Sequence, residues 1–177
     1  MSGGSYSTYA YANGNPISLS DPSGLDTTVA CRSVDDPRAR LFGAKHCFVI
    51  VWHQKDCKGP KIVDRQYSLA GNPTPFPQNS TAPTYVADAN EWNSGSGLRY
   101  NVLPPAGVSI QQFDNAVTTA GDAYDSHDGY SANGLTGPNS NTATNTIIRN
   151  AGGVLPPIPG AFGQFYNETV PMPPLVP

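Results

Sequence analysis

The sequence predicts an α+β domain: a small antiparallel sheet packed against two or more helices, with long loops rich in Pro and Gly. Three observations predict it. The run His46-Cys47-Phe48-Val49-Ile50-Val51-Trp52-His53 is β-branched and aromatic, and a second strand-like stretch follows it after a short turn. Apolar residues recur at helical spacing after Ser109 and again after Ser140. Gly and Pro number 18 each among 177 residues, a share that makes loops long yet stays below that of a low-complexity chain, and nine Tyr and six Phe remain to fill a core.

Taken in order, the first 25 residues read as a strand carrying Tyr6, Tyr9 and Tyr11, a turn at Asn13-Gly14-Asn15-Pro16, a short strand around Ile17–Leu19 and a second turn at Asp21-Pro22-Ser23-Gly24. Residues 26–45 are polar and read as a linker entering the fold. The strand 46–53, a turn at Lys55–Pro60 and a strand from Lys61 to Leu69 form an antiparallel hairpin. Residues 70–97 read as a Pro/Asn/Ser/Gly-rich loop containing Trp92, and Leu98 to Leu103 as a third strand. Ser109 caps a helix over 109–124, with Ile110, Phe113, Val117, Ala120 and Tyr124 on one face. After a Gly/Ser/Asn loop, a second helix over 140–151 carries Ala143, Ile147, Ile148 and Ala151, and Gly152-Gly153 ends it. The tail, 154–177, is Pro-rich and extended.

Composition removes several functions. Charged residues are only 13% of the chain, the formal net charge is −3, and no Lys/Arg cluster tracks a phosphate backbone. Nucleic-acid binding is therefore not expected, although a nuclease with a small active site stays open. No run approaches the ~20 apolar residues of a membrane span, and the N-terminus lacks the basic and apolar regions of a signal peptide. Cys31, Cys47 and Cys57 show no zinc spacing, so no metal or other cofactor is expected. Cys31 and Cys57 flank the strand 46–53 and either pair in an oxidising compartment or remain free thiols, whereas Cys47 reads as a core residue.

The segment YAYANGNPISLSDPSGLD closely resembles the end of the RHS repeat-associated core, in which a β-shell closes with such a segment and is cut just after the Leu to free a C-terminal toxin. Gly14 stands where the family often has Asn. The resemblance implies that residues 1–25 are a shell remnant and 26–177 a toxin cargo. It also implies a cognate immunity protein, and secretion or delivery into a target cell.

Chemistry concentrates at Gly137-Pro138-Asn139-Ser140-Asn141-Thr142. A hydroxyl at a helix start is either a nucleophile, beside N–H groups that stabilise an oxyanion, or simply the N-cap. A nucleophile needs a base, and the histidines are His46, His53 and His127. His46 and His53 lie on opposite faces of one strand, and His127 sits in a polar loop. A histidine opening a strand, a second strand, then a helix beginning N-S-N-T resembles the circularly permuted papain-like fold of the NlpC-type peptidases and the lecithin:retinol acyltransferase relatives. That resemblance implies Ser140 as nucleophile and His46 as base of an amidase, peptidase or esterase-like hydrolase. Most such enzymes use Cys, so the serine fits a Ser-dependent hydrolase, an inactivated variant or a degenerate binding domain. The residue orienting the imidazole is expected on the adjoining strand among Asp64, Gln66 and Ser68, with Gln66 favoured. Asn139, Asn141 and Trp92 are the expected substrate contacts, with oxyanion donors at Ser140 and Asn141. Cell-wall peptides, lipid esters and a target-cell protein are the candidate substrates. The alternatives are a non-catalytic binding domain, or a toxin of other chemistry, a nuclease or an enzyme consuming a nucleotide cofactor, with a separate pocket lined by Arg99, Arg149 or the aspartates of 122–128.

Overall fold

The computed structural model describes residues 25–54, 59–126, 129–132 and 137–166. Cys57, His127, Asp128, the end of the tail and the segment resembling the RHS core, apart from its last two residues, lie outside them; Leu25 and Asp26 begin the first strand. Strands β1 (Leu25–Ser33), β2 (Lys45–Gln54), β3 (Lys61–Tyr67) and β4 (Leu98–Asn101) form one antiparallel sheet in the order β3-β2-β1-β4. Among the described residues four helices accompany it, so the architecture is α+β: α1 (Pro37–Leu41), α2 (Pro83–Ser94), α3 (Ile110–Asp122) and α4 (Ser140–Asn150).

The first departure from the sequence reading is β1, which occupies residues expected to be linker and runs between β2 and β4. Its Thr-Thr-Val start is β-branched, and the threonine hydroxyls are satisfied in the interior. Thr27 bonds Asp114 of α3, while Thr28 donates to Asn101 and accepts from the Trp52 indole. Cys31 lies directly opposite Cys47 and is disulfide-bonded to it across 16 residues of sequence. Cys31 thus pairs with the cysteine expected to be a plain core residue, not with Cys57.

Alternation along β2 sorts its side chains onto two faces. Cys47, Val49 and Val51 pack with Phe113 and Val117 of α3 and Ala143, Ile147 and Ile148 of α4. The opposite face carries His46, and Phe48, Ile50 and Trp52 pack with Ala30 and Trp92. Trp92 belongs to α2, the second departure. That helix begins at a proline with no side-chain cap, and its inward stripe is Tyr85, Asp88 and Trp92. The stripe has helical spacing, but its middle member is charged, which hides the apolar periodicity. The amphipathic α3 has the cap expected, with Ser109 and Gln112 forming a reciprocal capping box. Truncating Phe113, buried between α3 and α4, to Ala costs about 3–5 kcal/mol.

One edge of the sheet positions the site. β3 stops at Tyr67, opposite Val49, and leaves the outer edge of β2 from Lys45 to Cys47 without a strand beside it. Its polar groups are nevertheless paired, as buried backbone must be. The Asn141 amide donates to the Lys45 carbonyl at 3.0 Å and accepts from the Cys47 N–H at 2.9 Å. Thr144 donates to the Cys47 carbonyl at 3.1 Å, and the Lys45 N–H donates to the Gly160 carbonyl at 2.7 Å. The first turn of α4 and a loop of the tail thus take the place of a missing strand. Gly160 can make this approach only as glycine, since its φ is +81° and a Cβ there would lie 2.0 Å from the Gly43 carbonyl oxygen. The tail up to residue 166 is accordingly part of the fold, with Leu155, Ile158 and Ala161 buried in the core.

Candidate active site

The docking of α4 onto the β2 edge fixes where Ser140 lies. Asn139, not Ser140, is the N-cap: its side chain accepts from the N–H groups of Asn141 at 2.9 Å and Thr142 at 3.1 Å. Ser140 is the first residue of the helix, so its hydroxyl is not committed to capping. Asn141, one residue on, holds the backbone of Lys45 and Cys47 on either side of His46. Nucleophile candidate and base candidate are brought together by one asparagine. Ser140 and His46 line the same cavity, about 400 Å³ in volume.

His46 points to the α2 face, where its Nε2 meets Asp88 Oδ2 at 2.9 Å. Asp88 is fully buried, and its other oxygen accepts from Arg32 Nε at 2.6 Å. An ionised carboxylate only accepts, so Nε2 carries the proton and Nδ1 is left with its lone pair as the basic nitrogen. Arg32 holds the carboxylate in turn. Burial works against the guanidinium charge, but hydrogen bonding and Coulombic attraction from Asp88, with help from Asp35, outweigh it and hold Arg32 above its ordinary value. In the sheet register Arg32 lies directly across from His46, one position beyond the Cys31–Cys47 disulfide.

Tyr130 completes the floor of the cavity. Burial holds its phenol above the ordinary tyrosine range; hydrogen bonds donated to it by the hydroxyl and N–H of Ser140 work against this shift, and the Asp88 charge adds to it. The neutral phenol therefore meets Ser140 at both its hydroxyl and its N–H, at the start of α4. Asn141 was the other expected oxyanion donor, but its N–H is spent on the Asn139 cap.

Other expected site residues fall elsewhere. Gln66 donates its amide to Ser68 Oγ and the Tyr85 carbonyl, both at 2.9 Å, and does not orient His46. Asp64 instead pairs with His53, at 2.7 Å from Nδ1. The adjoining strand has ended before it reaches His46, so the carboxylate comes from α2. Trp92 is a core residue: it packs on Trp52 with centroids 5.9 Å apart, and Arg99 lies over it at 4.3 Å. Asn139 and Asn141 do line the cavity, with their polar groups turned to cap and edge. Arg99 is engaged by Trp92, Arg149 sits in the last turn of α4, and Asp122 accepts from Tyr67, so these do not gather into a second site. Among the described residues no three His, Cys, Asp or Glu side chains gather as a metal set, and no helix is long and apolar enough to cross a membrane.

Sequence reasoning missed Asp88, Arg32 and Tyr130. The spacing of Tyr85, Asp88 and Trp92 was the available signal for the first; nothing local marks the other two. Compared with protein-family models, curated proteins and solved structures, the chain has no match in any of the three.

Proposed function

We propose that the chain is a hydrolase or acyltransferase of papain-like organisation, acting on an amide, ester or thioester, and that it is the toxin cargo of an RHS-type shell. The observation that carries the chemistry is the convergence of Ser140, the Asp88-held imidazole of His46 and the Tyr130 phenol on one cavity. In the reaction, His46 Nδ1 takes the Ser140 proton as Oγ bonds to the acyl carbon. The oxyanion replaces the Tyr130 phenol oxygen as acceptor of the Ser140 N–H, at the positive end of α4, and receives a second hydrogen bond from the Tyr130 hydroxyl. Collapse breaks the bond to the leaving group, which departs with the proton held by His46. Water or another acceptor then cleaves the acyl-enzyme by the same steps in reverse.

The toxin assignment rests on the RHS-like segment within residues 1–25. It brings with it a shell partner before release, an immunity protein in the producing cell and delivery into a target cell.

The test is labelling of the full chain by a fluorophosphonate probe, read by intact mass. Labelling at Ser140 that disappears in both Ser140→Ala and His46→Ala is the expected result. Labelling that survives Ser140→Ala, or a folded chain that never reacts, overturns the mechanism. Growth inhibition in bacteria, with and without periplasmic targeting, reports the toxin reading. Killing by Ser140→Cys alone would identify the position as that of a native cysteine nucleophile.

A further inference from the structure

We propose that the cavity above Ser140 is an acyl pocket, and that the substrate is an ester or thioester with an unbranched apolar acyl group rather than a peptide. The inference rests on the hydrolase reading above and gives it a substrate class. Around the polar group of His46, Tyr130 and Ser140 the cavity is lined largely by apolar residues, Phe42 and Phe162 among them, with Lys45 the one lysine. Two of its lining rings are left in water: Phe42 is 79% exposed and Phe162 49%.

The segment that presents Phe42 has no other evident use. The five-residue helix α1 buries none of its residues, yet it is carefully held. Asp36 caps it, and the N–H groups of Phe42 and Ala44 both donate back to the Ala39 carbonyl. A short helix that adds nothing to the core but fixes an aromatic ring at a cavity mouth is built for something outside the protein.

A peptide is disfavoured by the backbone of these walls. Extended peptides are recognised largely through main-chain hydrogen bonds, and the wall has spent its own. Val34 N–H donates to the Ala44 carbonyl, Lys45 N–H to Gly160 and Phe162 N–H to Gly160. The Phe162 carbonyl accepts from both Asn139 and Asn141, and the Lys45 carbonyl from Asn141. What the walls turn toward the cavity is mostly apolar side-chain surface, which binds methylenes and offers a polypeptide backbone no strand edge to pair with.

The experiment uses the full chain with p-nitrophenyl acetate, butyrate and octanoate, beside a dipeptide p-nitroanilide. The expected kcat/KM rises about twofold to fourfold per methylene, and the anilide is the poorest substrate. Phe42→Ser, at an exposed position that carries no core packing, lowers the octanoate-to-acetate ratio by about tenfold. In the Ser140→Ala background, dansyl-undecanoic acid binds saturably and Phe42→Ser weakens it by a similar factor. Turnover that ignores chain length, preference for the anilide, or no binding of the dansyl probe overturns the substrate assignment alone. A folded chain that binds the probe but hydrolyses no ester refutes the hydrolase reading, and the substrate assignment with it.

Discussion

Replacing Asp88 by Asn removes one charge and changes no volume, yet the hydrogen-bond directions around it predict a large effect. Residue 88 is fully buried between Arg32 Nε at 2.6 Å and His46 Nε2 at 2.9 Å. Arg32 can only donate. An asparagine therefore turns its oxygen to Arg32 and its NH2 to His46, and Nε2 must become an acceptor. The proton moves to Nδ1, the nitrogen whose lone pair the proposed mechanism needs. Loss of the correct tautomer in a serine triad costs about 10³–10⁴ in rate, or about 4–5.5 kcal/mol of transition-state stabilisation. Stability falls less than the ~3–5 kcal/mol of a broken buried ion pair, because Asp35 still contacts Arg32 and the asparagine oxygen still accepts from it. The rate of Ser140 labelling by a fluorophosphonate measures the first effect and urea unfolding the second. The double variant Arg32→Met/Asp88→Asn frees the asparagine oxygen for His46 and recovers at least about tenfold of the lost rate. A single variant within tenfold of the parent, or a double variant no faster than the single, would refute the tautomer argument.

Asn141→Ala leaves the Lys45 carbonyl and Cys47 N–H without their partner; at about 1–3 kcal/mol for each orphaned buried group, urea unfolding shows a loss of about 2–6 kcal/mol, and Ser140 labelling slows with it. Reducing the Cys31–Cys47 bond, which closes a loop of 16 residues, lowers stability by about 3 kcal/mol, seen as a shifted urea midpoint with and without dithiothreitol. Tyr67 is held far above the ordinary tyrosine value by burial, then by its hydrogen bond and Coulombic interaction with Asp122. Its contribution is therefore complete below the unfolded value of about 10 and is lost as pH rises from there through the raised folded value. Stability against pH falls above pH 10, and Tyr67→Phe flattens that fall while costing about 1 kcal/mol at neutral pH.

The legible parts of the sequence were those where apolar spacing and geometry agree. The β2–β3 hairpin and helices α3 and α4 lie within a few residues of where periodicity puts them. β1 was hidden because its buried Thr27, Thr28 and Arg32 are polar residues that depend on distant partners, Asp114, Asn101 and Asp88. The same property hid α2, whose stripe has a carboxylate at its centre. Ser140 and His46 could be named from local context, a helix start and a strand start. Their orienting group could not be found by looking along the adjoining strand, because that strand ends short and the carboxylate arrives from a helix that reads as loop. The Asn139 cap was equally illegible beforehand, since Asn and Ser at adjacent positions both suit the role.

The shortness of β3 has a consequence for any variant of this fold. If pairing continued past Tyr67, Ser68, Leu69 and Ala70 would come to lie opposite Phe48, Cys47 and His46. They turn away instead, with the Ser68 carbonyl accepting from Phe76 N–H at 3.0 Å. An open sheet edge ordinarily invites another strand, including one from a neighbouring molecule. Here the vacancy is a socket, and the asparagine and threonine of α4 are the plug. A loop deletion that let β3 grow by two residues would make a more regular sheet and evict the helix that carries Ser140. A regular sheet and the docking of α4 compete for the same few backbone groups, so the sheet must stay unfinished.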